Sequence, residues 1–312
     1  MSYIGKHWRG ELSLAVAFWV NCVLLTAVLV ALWGLGISQS FRLRPDFSAA
    51  LSIGLALALV PVYVWQLLGV FRAARKQKIR TDRKFLPSVF QLIASFLLVF
   101  NLLSFRTIDF AFALPMALVF FGVLQDPMGP TTLTMRDDTR AIVVEGGLTV
   151  GVSGRVGRLI RLYPNTDEII LNSSGGWLYE GRALARLIQA HGLKTRTFTE
   201  CASACTMAFI AGQQRLMGPD AGLGFHAYAM LGYGNPLAEQ DRDALFFLSQ
   251  SVDPAFVDRM FEAPNKDMWY PSHEELLQAG ILHGFVDPET LGVLGAVEAL
   301  DISGSSPMPE LQ

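Results

Sequence analysis

Acidic side chains are nearly missing from the first 125 residues, which hold four Asp and Glu against twelve Lys and Arg. Charge is scarce overall too, at 17% of 312 residues, where a soluble domain carries about a quarter. Only three cysteines occur, Cys22, Cys201 and Cys205. A zinc site takes about four ligands, in paired sets, and the chain has no second cysteine pair, so a structural zinc site is not expected. Gly-rich phosphate loops and internal repeats are missing as well, and no metal or nucleotide cofactor is implied. The basic residues lie among apolar segments rather than along a soluble face, which argues against a nucleic-acid partner.

What is abundant is apolar residue, 52% of the chain with a mean hydropathy of +0.37, and it is concentrated in the first 125 positions. Four runs stand out, at 12–37, 47–71, 86–104 and 107–124. Each of the first three is long enough to match a hydrocarbon core of roughly 30 Å. Pro61 in the second run is tolerable in a membrane helix whose neighbours absorb a kink. The fourth run is shorter and carries Asp109 and Pro115. The first run is too long for a secretory signal, and three more follow it. The expectation is a multi-span α-helical region over residues 1–125, embedded in a lipid bilayer.

Basic residues orient such a region. The segment between runs two and three holds Arg72, Arg75, Lys76, Lys78, Arg80, Arg83 and Lys84 against Asp82, so that loop is expected on the cytoplasmic side, with Lys6 and Arg9 placing the N-terminus there too. Four spans would return the remainder of the chain to the cytoplasm; three would leave it outside. The four-span count is the working expectation.

From Arg140 the periodicity changes. Short strands are predicted over 141–145, 167–171 and 194–199, and helices over 156–163, 178–190, 203–211, 237–251, 254–261 and 272–279. Strands alternating with helices predict an α/β domain with largely parallel pairing. This half is acidic, with thirteen Lys and Arg against twenty-three Asp and Glu. Residues 126–139 are read as a linker, 140–290 as the domain and 291–312 as a tail, flexible around Ser303–Pro309.

Three elements follow in order: Asn-Ser-Ser-Gly-Gly at 172–176 after a strand, Cys-Ala-Ser-Ala-Cys at 201–205 opening a helix, and Gly-Leu-Gly-Phe-His at 222–226 ending a strand. Over roughly residues 140–290 this pattern resembles the Clp-protease/crotonase superfamily, and more closely the bacterial Clp-protease-like proteins described as periplasmic. The resemblance implies a ββα superhelix, a serine peptidase activity on peptide or protein substrates, and assembly into homo-oligomers. Ser174 stands where the family has proline, which loosens the turn without removing a donor.

A serine between strand and helix ordinarily caps the helix. The resemblance instead makes Ser203 a nucleophile, with the amides of Gly175, Gly176 and Ala204 around the oxyanion, Gly176 foremost of the glycine pair. It makes His226 the general base and Asp267 the group that orients it, with Asp253 and Asp258 as fallbacks that also read as helix-start acids. A serine–lysine dyad would have to use Lys194 or Lys266. His191, His273 and His283 have weaker claims than His226.

Cys201 and Cys205, four residues apart, can meet on one helical turn and form a disulfide, which requires an oxidising compartment. That favours an external domain, whereas span counting favours the cytoplasm. The expectation is therefore a multi-pass protein of the bacterial inner membrane, its soluble domain cytoplasmic with four spans and periplasmic with three. Its function is expected to be peptide-bond hydrolysis through a Ser-His-Asp arrangement. A crotonase-like acyl-CoA enzyme and a non-catalytic membrane scaffold are the alternatives.

Overall fold

The computed structural model describes residues 2–32, 45–108, 110–136, 140–229, 235–287 and 293–294, in two units, Met1–Leu124 and Gln125–Gln312.

In the first unit, a short helix α1 (Tyr3–Trp8) precedes α2 (residues 14–32), which is π-helical over Val16–Leu24. Then come α3 (Pro45–Thr81), α4 (Phe85–Ile108) and α5 (Phe110–Phe120). Leu14, Ala17, Phe18 and Cys22 of α2 bury against Val70, Ala73 and Ala74 of α3 and Ala94 of α4. Small residues at the crossings, Ala17, Ala73, Ala74 and Ala94, let the helices approach closely.

Among the described residues one helix, Ala49–Thr81, is long and apolar enough to cross a bilayer by length and composition. Val16–Leu32 and Phe85–Phe100 are shorter apolar helices. Of the four expected spans, the end of 12–37 falls in residues that are not described. Of the expected 107–124 run, 107 and 108 end α4, Asp109 lies outside the described residues, and 110–120 form α5, whose eleven residues rise about 16 Å.

The second unit begins earlier than the sequence pattern suggests. Residues 126–139, read above as a linker, contain β1 (Thr131–Arg136), paired antiparallel with β2 (Ala141–Gly146). The alternation of half-buried and exposed residues along β1 is that of an edge strand, too weak to read beside the strongly apolar β2. The chain continues through α6 (Val152–Leu162), β3 (Glu168–Asn172), α7 (Leu178–His191), β4 (Lys194–Thr197), β5 (Glu200–Ala202) and α8 (Ala204–Ile210). After these come β6 (Arg215–Met217), β7 (Gly222–Gly224), α9 (Pro236–Ser249), α10 (Pro254–Arg259), α11 (His273–Gln278), β8 (Gly284–Val286) and β9 (Val293–Leu294).

Seven strands form one sheet in the order β1-β2-β3-β4-β6-β8-β9, and β5 and β7 form a second. Pairing from β2 to β8 is parallel, with antiparallel strands at both edges. β2 and β3 are nearly continuously buried, as befits parallel strands covered on both faces. A repeating path generates the layers. Each turn lays one strand in the long sheet and a shorter extended piece in the second layer, then enters a helix. The shorter pieces are bridged from Leu148 to Gly176 and from Ser173 to Cys201, then through β5 and β7, and lastly from Phe225 to Trp269. This is a ββα superhelix. The core runs between the layers through Ile142, Leu171, Leu184, Phe209 and Phe285, and each such side chain contributes about 1.5–3 kcal/mol by leaving water. The expected 194–199 strand stops at Thr197 as β4, because the chain bends at Phe198 and Thr199 to step from the long sheet into β5 of the short one before reaching the serine.

Candidate active site

β5 ends at Ala202 and α8 starts at Ala204, so Ser203 alone makes the turn between them. Its backbone sits at φ 52°, ψ −125°, a conformation that costs an L-residue of order 1–3 kcal/mol and persists only when its surroundings enforce it. The enforcement is visible. Ser203 N–H donates to Gly224 O at 2.8 Å, Ala202 N–H to Ser173 O at 2.9 Å, and the Thr206 hydroxyl to Ser203 O at 2.7 Å. A disulfide joins Cys201 to Cys205 across the turn, with Cα atoms 5.2 Å apart.

Ser203 occupies the N-cap of α8 yet makes no side-chain cap hydrogen bond. Its Oγ lies 2.7 Å from Nε2 of His226, which follows β7 directly. The ordinary capping role is thus not the one this hydroxyl plays. Nδ1 of His226 is 2.7 Å from the carbonyl oxygen of Ala227. Two lone pairs do not approach that closely, so Nδ1 carries the proton and donates it, leaving the Nε2 lone pair to accept from Ser203. Asn265 Nδ2 reaches the same carbonyl at 3.3 Å and lies 3.2 Å from Nδ1. The loop is pinned there by Ala227 N–H to Ala263 O at 2.7 Å and by paired bonds between Phe225 and Trp269.

Asp267, expected to orient the histidine, is exposed. Its backbone N–H turns back to Pro264 O, and none of the hydrogen bonds of His226 involves it; Asn265, two positions earlier, is the side chain that reaches the ring. The fallback Asp253 caps α10 by accepting from Phe256 N–H at 3.0 Å, and Asp258 is an exposed residue of the same helix. Lys194 lies in β4 in register with Glu168, and Lys266 is exposed. His191 bonds Leu187 O, His273 bonds Ala221 O, and His283 bonds Arg215.

The glycine pair abuts the serine turn. Gly175 has φ 103° and Gly176 φ 149°, conformations open to glycine alone. A Cβ on Gly175 would come within 2.8 Å of the Ser203 Cβ, and one on Gly176 within 2.6 Å of Leu148 O. The Gly175 N–H is taken by Ser173 Oγ at 3.1 Å. Among the described residues no partner takes the N–H of Gly176 or of Ala204.

Two features of this region carried no readable motif. A small pocket, about 10 Å³ in volume, holds Ser203 and His226 among Met207, Phe225, Tyr228, Phe247, Met260 and Phe261. Its wall is braced by Arg182, which donates to both carboxylate oxygens of Asp243 and pairs with Glu239, while Tyr228 donates to Asp243 at 2.9 Å. Burial, with the Asp243 carboxylate behind it, holds the Tyr228 hydroxyl well above the usual tyrosine range, so it stays a donor. Asp126 is the second feature. Its carboxylate accepts from Trp177 Nε1 at 3.0 Å, Val150 N–H at 2.7 Å and Met128 N–H at 2.9 Å, clamping the residue after Gly176.

No family model matches this chain, and no curated protein matches it. Among solved structures it is similar to ClpP1 from Listeria monocytogenes, at 17% identity, covering 50% of this chain and 96% of that one with a TM-score of 0.42. A mutant of the same ClpP1 gives 16% identity, the same coverage and the same TM-score. A mutant of the 1510-N membrane-bound stomatin-specific protease gives 16% identity, covering 48% of this chain and 80% of that one, with a TM-score of 0.38.

Proposed function

We propose that this chain is a membrane-anchored serine peptidase of the Clp-protease type, hydrolysing peptide bonds with Ser203 as nucleophile and His226 as base. The observation that carries this reading is the 2.7 Å contact between Ser203 Oγ and His226 Nε2, made by a hydroxyl that its strained backbone keeps out of the capping role. His226 removes the Ser203 proton as Oγ attacks the peptide carbonyl. The N–H groups of Gly176 and Ala204 are directed at the oxygen on which charge develops. The imidazolium then protonates the leaving amine, and water repeats the sequence on the acyl-enzyme. Ala227 O, steadied by Asn265, holds the tautomer that this sequence requires. A neutral carbonyl stabilises the imidazolium less than a carboxylate would, so the proposed enzyme is slow. The aromatic and Met lining beside Ser203 suits an apolar side chain at the cleaved bond. The acyl-CoA alternative finds less support, because among the described residues no Lys or Arg lines this pocket to meet CoA phosphates.

Three crossings, by α2, α3 and α4, fit the first unit better than four, because α5 is too short to span. Three crossings place the second unit opposite the basic loop, on the oxidising side, where the Cys201–Cys205 disulfide is stable. Assembly into homo-oligomers belongs to the same reading, and exposed Leu237 and Leu245 on α9 offer a surface for it.

The test is labelling of intact membranes with a serine-reactive fluorophosphonate. Wild type is expected to label, and Ser203→Ala and His226→Ala are not. Labelling that survives Ser203→Ala overturns the assignment.

A further inference from the structure

The second turn of interest lies in the first unit, where two distant chain segments form one rim. Helix α1 is fastened along the end of α3: Trp65 Nε1 donates to Ile4 O at 3.1 Å, and Arg72 donates to Trp8 O at 2.5 Å while stacking over its ring at 4.6 Å. His7 is fully buried against Gly69. Lys6 and Arg9 are thereby brought to the level at which α3 leaves its apolar stretch and becomes basic. Beyond Arg72, the exposed cations Arg75, Lys76, Arg80, Arg83 and Lys84 surround the α3–α4 turn. The acids of this rim are Glu11, already held by Arg9 at 2.7 Å, and Asp82.

Charge alone would suit any anion, but the rim is also greasy. Ile79 is 78% exposed, Phe85 83% and Trp8 40%, and each stands among the cations rather than in a core. A soluble partner would leave this combination half solvated, whereas a bilayer interface takes both parts, apolar groups into the acyl boundary and cations to the phosphates. We infer that this rim binds anionic phospholipid headgroups, selecting them over zwitterionic ones in the bilayer that the unit occupies. The inference is independent of the chemistry proposed at Ser203 and rests only on the membrane association of the first unit.

Full-length protein in a nonionic detergent is titrated with phosphatidylglycerol or phosphatidylcholine, and bound lipids are counted by native mass spectrometry. Wild type is expected to hold phosphatidylglycerol about tenfold more tightly, given the roughly additive attraction of each cation near an anionic surface. The R75Q/K76Q/R80Q/R83Q/K84Q variant is expected to lose that preference to within about twofold, and R158Q/R161Q on α6 to keep it. Raising salt to about 0.5 M should erase the preference in unmodified protein, a readout that survives if the fivefold variant does not fold. Equal binding of the two lipids, a preference that outlasts neutralisation or salt, or displacement by inorganic phosphate at millimolar concentration each overturns the inference. Release of the wild-type chain from membranes by alkaline carbonate would instead overturn the membrane reading itself.

Discussion

The Nδ1 of His226 faces the carbonyl oxygen of Ala227 at 2.7 Å, so the proton that fixes the imidazole tautomer is held by a backbone group. Asn265 stands beside that contact without adding charge. Asn265→Asp puts a carboxylate within reach of Nδ1, where it would favour the imidazolium. The fluorophosphonate labelling rate of the variant is expected to rise about tenfold at its optimum, and the acid limb of its pH profile to move up by about one unit. An unchanged profile would mean that Asn265 does not act through the ring.

The disulfide closes a five-residue ring around a strained serine. In the chain-entropy account, a loop this short is worth about 2 kcal/mol. The double variant Cys201→Ser, Cys205→Ser is expected to unfold at lower temperature by that margin. Its Ser203 should also relax from positive φ and label more slowly. On denatured cell extracts of the wild type, a maleimide-polyethylene glycol gel shift should show one addition, at the free thiol of Cys22, without reductant, and the two further additions only after reduction. All three additions without reductant would place the domain in a reducing compartment.

Asp126 clamps Trp177, which directly follows Gly176. Asp126→Ala removes acceptors from three donors, so the turn carrying the Gly176 amide loosens. Turnover of a fluorogenic apolar peptide is expected to fall about tenfold in kcat with little change in KM, the pattern of a lost transition-state contact. Asp126→Glu should recover part of the loss. A rise in KM alone would assign Asp126 to substrate binding.

His283 has its Nε2 2.7 Å from the Arg215 guanidinium and its Nδ1 3.2 Å from the Arg215 backbone N–H, and the neutral ring accepts through one of these nitrogens. Burial, and then the Arg215 charge, push its pKa below the ordinary value. The folded state therefore prefers neutral His283, and this contribution is complete above the unfolded value of about 6.5 and fades as pH falls below it. The melting temperature of the purified chain should decline below that pH, more steeply for wild type than for His283→Gln. Equal slopes would remove His283 from the account.

Much of the second unit was readable in its local pattern. Apolar runs bounded by glycines marked β2 and β3, the i, i+4 spacing of Leu184 and Ile188 marked α7, and a serine among alanines after a strand marked the Ser203 turn. Position relative to distant chain was less readable. β1 escaped notice because an edge strand buries too little to stand out. The family resemblance put Asp267 beside the histidine, yet a shift of two residues in one loop decides that Asn265 arrives instead, and long-range hydrogen bonds from Ala227 and Phe225 set that loop.

By itself the sequence determined what local physics can determine: apolar content in the first unit, strand and helix periods in the second, and glycines where no Cβ fits. The tertiary structure decided which groups meet. It placed Ser203 against His226 across 23 positions, supplied a carbonyl where a carboxylate was expected, shortened the fourth apolar run below a bilayer's thickness, and gathered α1 and the end of α3 into one charged rim. The reason is that hydrogen bonds and charges act over a few ångströms, and only folding converts separation along the chain into separation in space.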